Sequence, residues 1–358
     1  MKKLNNFLEK GRWVRSIQVL ASVLFVILTI GCGGSPEHTK KAEPPSPPID
    51  DNLLNLTPDG LNALLWIDMA KFRASPLFGA LETVIGDKGV PLIGDNAPID
   101  PVSQADELML AFATDDRAEN GQYLTLIKGS FNSAEVLKSF TKDKDTVSRE
   151  IDGYPAIVTP KFVIVPITER TLALGSIVVV QKVIELAKRN SKSLDEHPDF
   201  SDLSLGGSTI ARLRYKPGIT APDFSQYGVA ASPVSIDALN GLDGIMTIGK
   251  GLEINLTATT ETQMDAAGMA RELENTRKEI GKNMFAVLLG IDWILERISI
   301  KPDKTSVSIS ISLDESDIEE INRLAVRLSK IRELAESDSK GPLRLPPSLP
   351  PVIPEPKR

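Results

Sequence analysis

One acidic stretch places a histidine among carboxylates. Residues 195–199 read Asp-Glu-His-Pro-Asp, and His197 is one of two histidines in the chain. Carboxylate oxygens suit a hard cation such as calcium, and the candidate ligands are Asp195, Glu196, Asp199 and Asp202. However, no EF-hand spacing is present, and a zinc site usually needs three or four His, Cys or carboxylate ligands. The sequence therefore predicts a solvated acidic loop and no metal site.

A glycine-rich segment has the spacing of a phosphate-binding loop. Residues 244–251 read Gly-Ile-Met-Thr-Ile-Gly-Lys-Gly. A phosphate loop needs Ser or Thr directly after its lysine to reach magnesium, but Gly251 follows Lys250 here. The residues after it alternate like a strand, whereas phosphate binding requires the N-terminus of a helix. The segment therefore predicts a hairpin turn, and we expect no cofactor.

Catalysis by a nucleophile finds little support in the sequence. A Ser-His-Asp triad would have to use His197, and no Gly-x-Ser-x-Gly elbow supplies its serine. A carboxylate pair of the glycosidase type is the alternative, because several aspartates lie near predicted strand ends. They are Asp68, Asp106, Asp115, Asp116 and Asp152. Their spacing singles out no pair, so we expect no catalytic residue and a protein that is not an enzyme.

Cys32 is the single cysteine and follows an apolar run. Residues 1–31 contain a basic start, an apolar stretch at 19–30 and Gly31 just before the cysteine. This three-part pattern predicts a secretory signal peptide. The apolar stretch is shorter than the about 20 residues needed to span a bilayer, so a lone anchor helix is the weaker alternative.

Residues 29–32, Thr-Ile-Gly-Cys, resemble the lipobox of bacterial lipoproteins. In that family the cysteine is diacylated on sulfur and becomes the first residue after cleavage. The resemblance therefore implies lipid attachment at Cys32, and two or more acyl chains hold a protein stably on a membrane. Thr29 stands where the family usually has leucine, and an ordinary free cysteine is the alternative. Because Gly33 replaces the aspartate that favours the inner membrane, the resemblance implies an outer-membrane anchor with the folded region in the periplasm.

Proline-rich segments flank the predicted folded region. Residues 32–52 are predicted to form an extended tether and residues 341–358 a disordered tail. Between them we expect a first half at 53–215, a loop-rich connection at 216–233 and a second half at 234–340. The net charge of −7 repels phosphates, so no nucleic-acid partner is expected.

Hydrophobic periodicity predicts an α+β fold. Two strands followed by an alanine-containing helix occur at 107–140 and again at 245–274. Residues 306–313 alternate serine with Val, Ile or Leu, which predicts one face toward the core and one toward water. We therefore expect two similar halves of mostly antiparallel sheet with helices on one face, related by a possible internal duplication.

An apolar segment at 284–295 has two interpretations. It includes Phe285 and Trp293 and is too short to span a membrane. It would either line a cavity for a lipid or acyl chain, or form a central core element of the second half. The core interpretation is favoured because buried segments commonly have this composition.

Residues 56–77 carry a second resemblance. They are similar to the opening of large uncharacterised lipoproteins of Gram-negative bacteria, in which a Pro-Asp pair precedes an apolar strand ending in Asp and an Arg-x-Ser-Pro-Leu helix start follows. The matching residues are Pro58, Asp59, Asp68, Arg73, Ser75, Pro76 and Leu77. The resemblance implies a shared fold without a known activity.

These features predict a lipid-anchored protein of the cell envelope. Its acylated Cys32 would contact the membrane, and its folded region would be a non-enzymatic binding or scaffold module. The partner would be an envelope protein, peptidoglycan or lipid. A carrier of lipids or lipoproteins is the alternative function, and a carboxylate-dependent hydrolase is the third.

Overall fold

The computed structural model describes residues 52–85, 101–113, 122–140, 146–160, 162–188, 193–216, 239–282 and 292–340. The predicted signal peptide, Cys32, nearly all of the tether and the C-terminal tail lie outside these residues. So do the connection after Lys216 and most of the apolar segment at 284–295.

Twelve strands in the described residues form one sheet. They are β1 (Ala63–Asp68), β2 (Ala105–Ala113), β3 (Gln122–Gly129), β4 (Val147–Ile151), β5 (Tyr154–Val158), β6 (Val163–Thr168), β7 (Thr171–Gly175), β8 (Thr209–Tyr215), β9 (Leu239–Ile248), β10 (Leu252–Thr260), β11 (Ile298–Asp303) and β12 (Ser306–Leu313). Their order across the sheet is β11-β12-β10-β9-β8-β1-β2-β3-β7-β6-β5-β4, and every neighbouring pair is antiparallel.

Eight α-helices in the described residues connect or follow these strands. They are α1 (Met69–Arg73), α2 (Phe78–Ile85), α3 (Pro101–Gln104), α4 (Ser133–Phe140), α5 (Ile177–Ala187), α6 (Gln263–Gly281), α7 (Asp292–Glu296) and α8 (Glu315–Lys340). Polar side chains start several of them. Asp68 accepts from the Lys71 N–H at 2.8 Å to begin α1, and Thr262 accepts from the Asp265 N–H at 3.1 Å to begin α6.

The centre of the sheet is the antiparallel pair β1 and β8, where Leu65 lies opposite Leu213. The strand order repeats outward from this pair, as β1-β2-β3-β7-β6 on one side and β8-β9-β10-β12-β11 on the other. Helix α4 follows β3 in the first half, and α6 follows β10 in the second. The predicted α+β fold of two similar, mostly antiparallel halves is confirmed. The β4–β5 hairpin extends the first half alone, and β8 is the counterpart of β1.

One face of the sheet, which we call the helix face, is covered in both halves. Val136 and Phe140 of α4 pack there with Ile127 in the first half. Met269 of α6 packs with Ala258 in the second half. Residues of α1 and α8 join the same core. The predicted arrangement of helices on one face therefore describes the second half.

The opposite face is covered only in the first half, as far as the described residues extend. There α5 packs Val179, Val183 and Ile184 onto the sheet, together with Leu194 and Phe200. The two-sided burial follows from the sequence, because β6 and β7 are apolar on both faces. The prediction that helices cover one face was therefore incomplete for the first half, because α5 lies on the face opposite α4.

In the second half the corresponding face is polar, and we call it the open face. The residues that define it are Thr247, Glu253, Asn255, Thr257, Thr259, Ser299, Lys301, Asp303, Ser306, Ser308, Ser310 and Ser312, with Ile245 as an apolar member. Helix α8, which follows β12 as α5 follows β7, lies instead on the helix face, where Ile318 is buried. The Asn322 amide of α8 donates to the Pro76 carbonyl at 3.3 Å, just before α2. No described residue replaces α5 on the open face.

Candidate functional site

The glycine-rich segment at 244–251 forms the end of β9 and the turn into β10. The Gly249 N–H donates to the Gly251 carbonyl at 2.9 Å, which closes the turn. Gly251 lies against the neighbouring backbone, since a Cβ there would be 2.2 Å from the Leu313 carbonyl oxygen. The predicted hairpin is confirmed, and the glycine at this point serves a close approach of two backbones.

The carboxylates around His197 each contact a different protein group and do not form a shared cation site. Asp195 accepts from the Ser193 hydroxyl, Asp199 lies 3.7 Å from the Lys216 ammonium, and Asp202 binds the Arg214 guanidinium. The His197 Nδ1 accepts from the Asp199 N–H at 3.2 Å. Within the described ranges no group of three or more His, Cys, Asp or Glu side chains is arranged to hold a metal.

The described aspartates near strand ends have local roles in the fold. Asp68 caps α1 and contacts the Lys71 ammonium at 2.6 Å. Asp106 lies between two guanidinium groups, 3.3 Å from Arg73 and 2.8 Å from Arg170. Asp152 occupies the β4–β5 turn with φ of 50°. These contacts describe caps, ion pairs and turns, and Asp115 and Asp116 lie outside the described residues.

The apolar segment at 284–295 is described only from Asp292 onward. Leu295 is buried with Ile280 and Ile298, and Trp293 packs against the main core of the helix face. The described end of this segment therefore belongs to the core.

The arginine pair on β8 was not predicted from the sequence. Arg212 and Arg214 share one side of the strand, and Asp243 of β9 lies between them. The Arg212 Nη2 lies 3.0 Å from Asp243 Oδ1, and the Arg214 Nε donates to Asp243 Oδ2 at 2.7 Å. A signal was present in the sequence, because alternation in Thr209–Tyr215 puts both arginines on one face of a strand that is otherwise mostly apolar.

Arg214 also holds the segment that covers the sheet beside it. Its Nη1 donates to the Asp199 carbonyl at 2.9 Å and to the Asp202 carboxylate. The Arg214 hydrogen bond holds the pKa of Asp202 below its usual range, because it stabilises the charged carboxylate. Asp202 and Asp243 raise the pKa of Arg214 against the opposing effect of burial. Asp202 and Arg214 are therefore both charged at neutral pH.

This cluster lies at the border of the open face. Reading across the sheet, Arg212 is opposite Ile245, Ile245 is opposite Asn255, and Asn255 is opposite Ser310. A parallel row joins Arg214, Asp243, Thr257 and Ser308. The chain thus places two cations beside a surface of mostly hydroxyl and amide side chains, which also carries the charged residues Glu253 and Lys301. No aromatic ring is among the residues that define the open face.

Comparison with known proteins identifies no relative by sequence, since neither a family model nor a curated protein matches the chain. Solved structures of TP0453 are similar at a distance. Crystal form I aligns with a TM-score of 0.43 and 12% identity over 77% of this chain and 98% of that chain. Crystal form IV gives a TM-score of 0.43 and 14% identity over 78% and 95%. This likeness is too distant to assign a family or a function.

The lengths and compositions of the helices bear on whether any of them could span a membrane. None of the helices in the described ranges is both long enough and apolar enough to cross a bilayer.

Proposed function

We propose that this protein is a lipid-anchored envelope protein whose folded region is a non-enzymatic binding module. The open face carries the proposal. It is the counterpart of a surface that α5 covers in the first half, and it is lined by side chains that need no burial. Its serines and threonines offer donors and acceptors to a partner, and their small size lets that partner approach the sheet closely.

The size of the open face defines the kind of partner. Four strands about 4.8 Å apart and about eight residues long give a surface of about 15 Å by about 25 Å. This area is roughly half of the about 800 Å² that each partner contributes to a standard protein interface. An extended segment or polymer fits such a surface better than a second folded domain does.

The anchor has its own test. The lipobox resemblance predicts that the mature chain begins at Cys32 with two acyl chains on sulfur. Mass spectrometry of the mature N-terminus should find that species, and Cys32→Ser should move the protein out of the membrane fraction. An unmodified chain that begins elsewhere would contradict lipid anchoring.

Binding through the open face is tested by substituting a long charged side chain into it. Ser308→Arg places a long cation in the middle of the surface, and Glu319→Arg places the same side chain on α8, where Glu319 is 64% exposed. A photo-crosslinker at Ser310 should give one reproducible envelope product, reduced at least tenfold by Ser308→Arg and unchanged by Glu319→Arg. Equal crosslinking in the two variants would rule out the open face as the binding surface. A product that is a lipid would favour the carrier instead.

A further inference from the structure

The arginine pair beside the open face has unused binding capacity. Among the described residues, Arg212 forms one ion pair, to Asp243 through Nη2, and it also attracts the more distant Asp202 carboxylate. The Arg212 Nε is buried and has no hydrogen-bond partner. A guanidinium offers five N–H donors, and the Nε–H of Arg212 is a buried one that no described residue satisfies.

Asp202 occupies the outer end of the neighbouring arginine. The Asp202 side chain is 72% exposed, whereas the Arg214 side chain is only 8% exposed. Phe200 and Leu203 on either side of Asp202 are buried, so its backbone is held in place while its carboxylate faces water. Rotation of this one side chain would uncover the Arg214 Nη atoms without disturbing the contacts to Asp243 and the Asp199 carbonyl.

The replacement of one carboxylate by another preserves the charge balance of this cluster. Asp202 contacts both Nη atoms of Arg214, which is the two-point geometry that guanidinium groups prefer for carboxylates. A carboxylate from a partner would restore these contacts and could also accept from Arg212. A neutral group would leave the buried guanidinium without its counter-ion, at a cost in binding.

We propose that Arg212 and Arg214 form a recognition site for a carboxylate on an extended peptide lying across the open face, and that Asp202 is the internal group which this carboxylate displaces. The inference rests on the proposed function, since it names the chemistry of the partner for the same surface. The rows from Arg212 to Ser310 and from Arg214 to Ser308 set the path of the peptide.

The test compares two peptides that differ in a single group. An acetylated hexapeptide of alternating threonine and alanine is titrated with a free C-terminal carboxylate and, separately, with a C-terminal amide. The Nε–H signals of Arg212 and Arg214 are followed by NMR in the full-length protein. We expect the acid to bind at least tenfold more tightly than the amide and to shift both signals.

Removal of the internal competitor gives the second arm. Asp202→Asn should strengthen binding of the acid about tenfold and leave binding of the amide unchanged. Asp199→Asn is the matched control, because the Asp199 carboxylate contacts Lys216 and His197 and not the arginines. It removes the same charge from the same segment and should leave both affinities within twofold of the native values.

Three outcomes would overturn the inference. They are equal binding of acid and amide, equal effects of Asp202→Asn and Asp199→Asn, and stronger shifts with inorganic phosphate than with acetate. Each of these leaves the crosslinking result at Ser310 standing, so this inference can fail while the proposed function survives. Loss of crosslinking specificity with an intact acid preference would mean that the arginines bind a carboxylate but that the open face is not the binding surface, which would contradict the proposed function and the path of the peptide.

Discussion

Asp202 and Arg214 form an ion pair in which one partner is mostly exposed and the other mostly buried, with side-chain exposures of 72% and 8%. The pair joins the segment after the 3₁₀ helix Leu194–Glu196 to β8, at the line where the covered part of the sheet meets the open face. Arg214 therefore contributes to stability as well as to the proposed binding site.

Arg214→Ala should destabilise the protein strongly. The change removes one of the two counter-ions of Asp243 and the donor to the Asp199 carbonyl, and it leaves a space in a buried region. Breaking a buried ion pair from one side costs about 3 kcal/mol. Urea unfolding should show this loss. Arg323→Ala is the control, since Arg323 is 61% exposed and its pairs with Glu319 and Glu320 are worth less than about 1 kcal/mol. Similar losses in the two variants would contradict the structural role of Arg214.

The alternation in β12 predicts opposite results at adjacent positions. Val307 is fully buried, and Ser308 is exposed on the open face. Val307→Ser buries a hydroxyl and leaves a cavity, so it should lower the free energy of unfolding by about 2–4 kcal/mol. Ser308→Val should change it by less than about 0.5 kcal/mol. Thermal and urea unfolding of both variants would measure the difference, and comparable effects would mean that the register of β12 is different.

The two glycines of the β9–β10 turn should respond differently to alanine. A Cβ at Gly251 would meet the Leu313 carbonyl oxygen at 2.2 Å, whereas a Cβ at Gly249 has no atom within 4 Å. Gly251→Ala must therefore push two backbones apart, at a cost of about 1–3 kcal/mol. Gly249→Ala should change stability by less than about 1 kcal/mol. Equal tolerance at both positions, measured by thermal unfolding, would argue against the close approach.

Glu274 should titrate well below a normal glutamate. Two hydrogen bonds from Arg277 and a contact with Lys278 lower the pKa of Glu274 from 4.5 to about 2. Because the folded pKa lies below the unfolded value, the stabilisation is complete above pH 4.5 and is lost as the pH falls toward 2. An NMR titration of the side-chain carboxyl should give this value, and Arg277→Met should move the pKa back toward 4.5. An unshifted pKa in the native protein would show that the pair does not form in solution.

Local patterns predicted the parts of the fold that depend on local sequence. Serine alternation in β12 gave the correct buried and exposed faces, and the residues around Gly251 gave the hairpin, because each signal lies within one element or one turn. The two strand-strand-helix units were visible for the same reason. The sequence therefore predicted the class of the fold and the repetition of its halves.

The positions of α8 and of the arginine pair were not predictable in this way. Helix α8 follows β12, but its place on the helix face depends on a contact with Pro76, 246 residues earlier. The amphipathic pattern of α8 gives the side that is buried, not the face of the sheet that buries it. Likewise, charged residues in a strand usually face water. Arg214 is buried because Asp199 and Asp202 come from a separate segment that no local pattern places beside it.

The pairing of β1 with β8 affects how the chain folds during synthesis and how truncated forms of it behave. Strand β1 is near the start of the folded region, and it hydrogen-bonds to β2 and to a strand about 150 residues later. Until β8 has been synthesised, β1 exposes an unpaired edge in the middle of what becomes the sheet, and such edges promote aggregation. Truncation before β8 should therefore give an insoluble fragment instead of a stable half-protein. Although the two halves resemble each other, we expect them to unfold as a single cooperative unit, because one sheet runs through both.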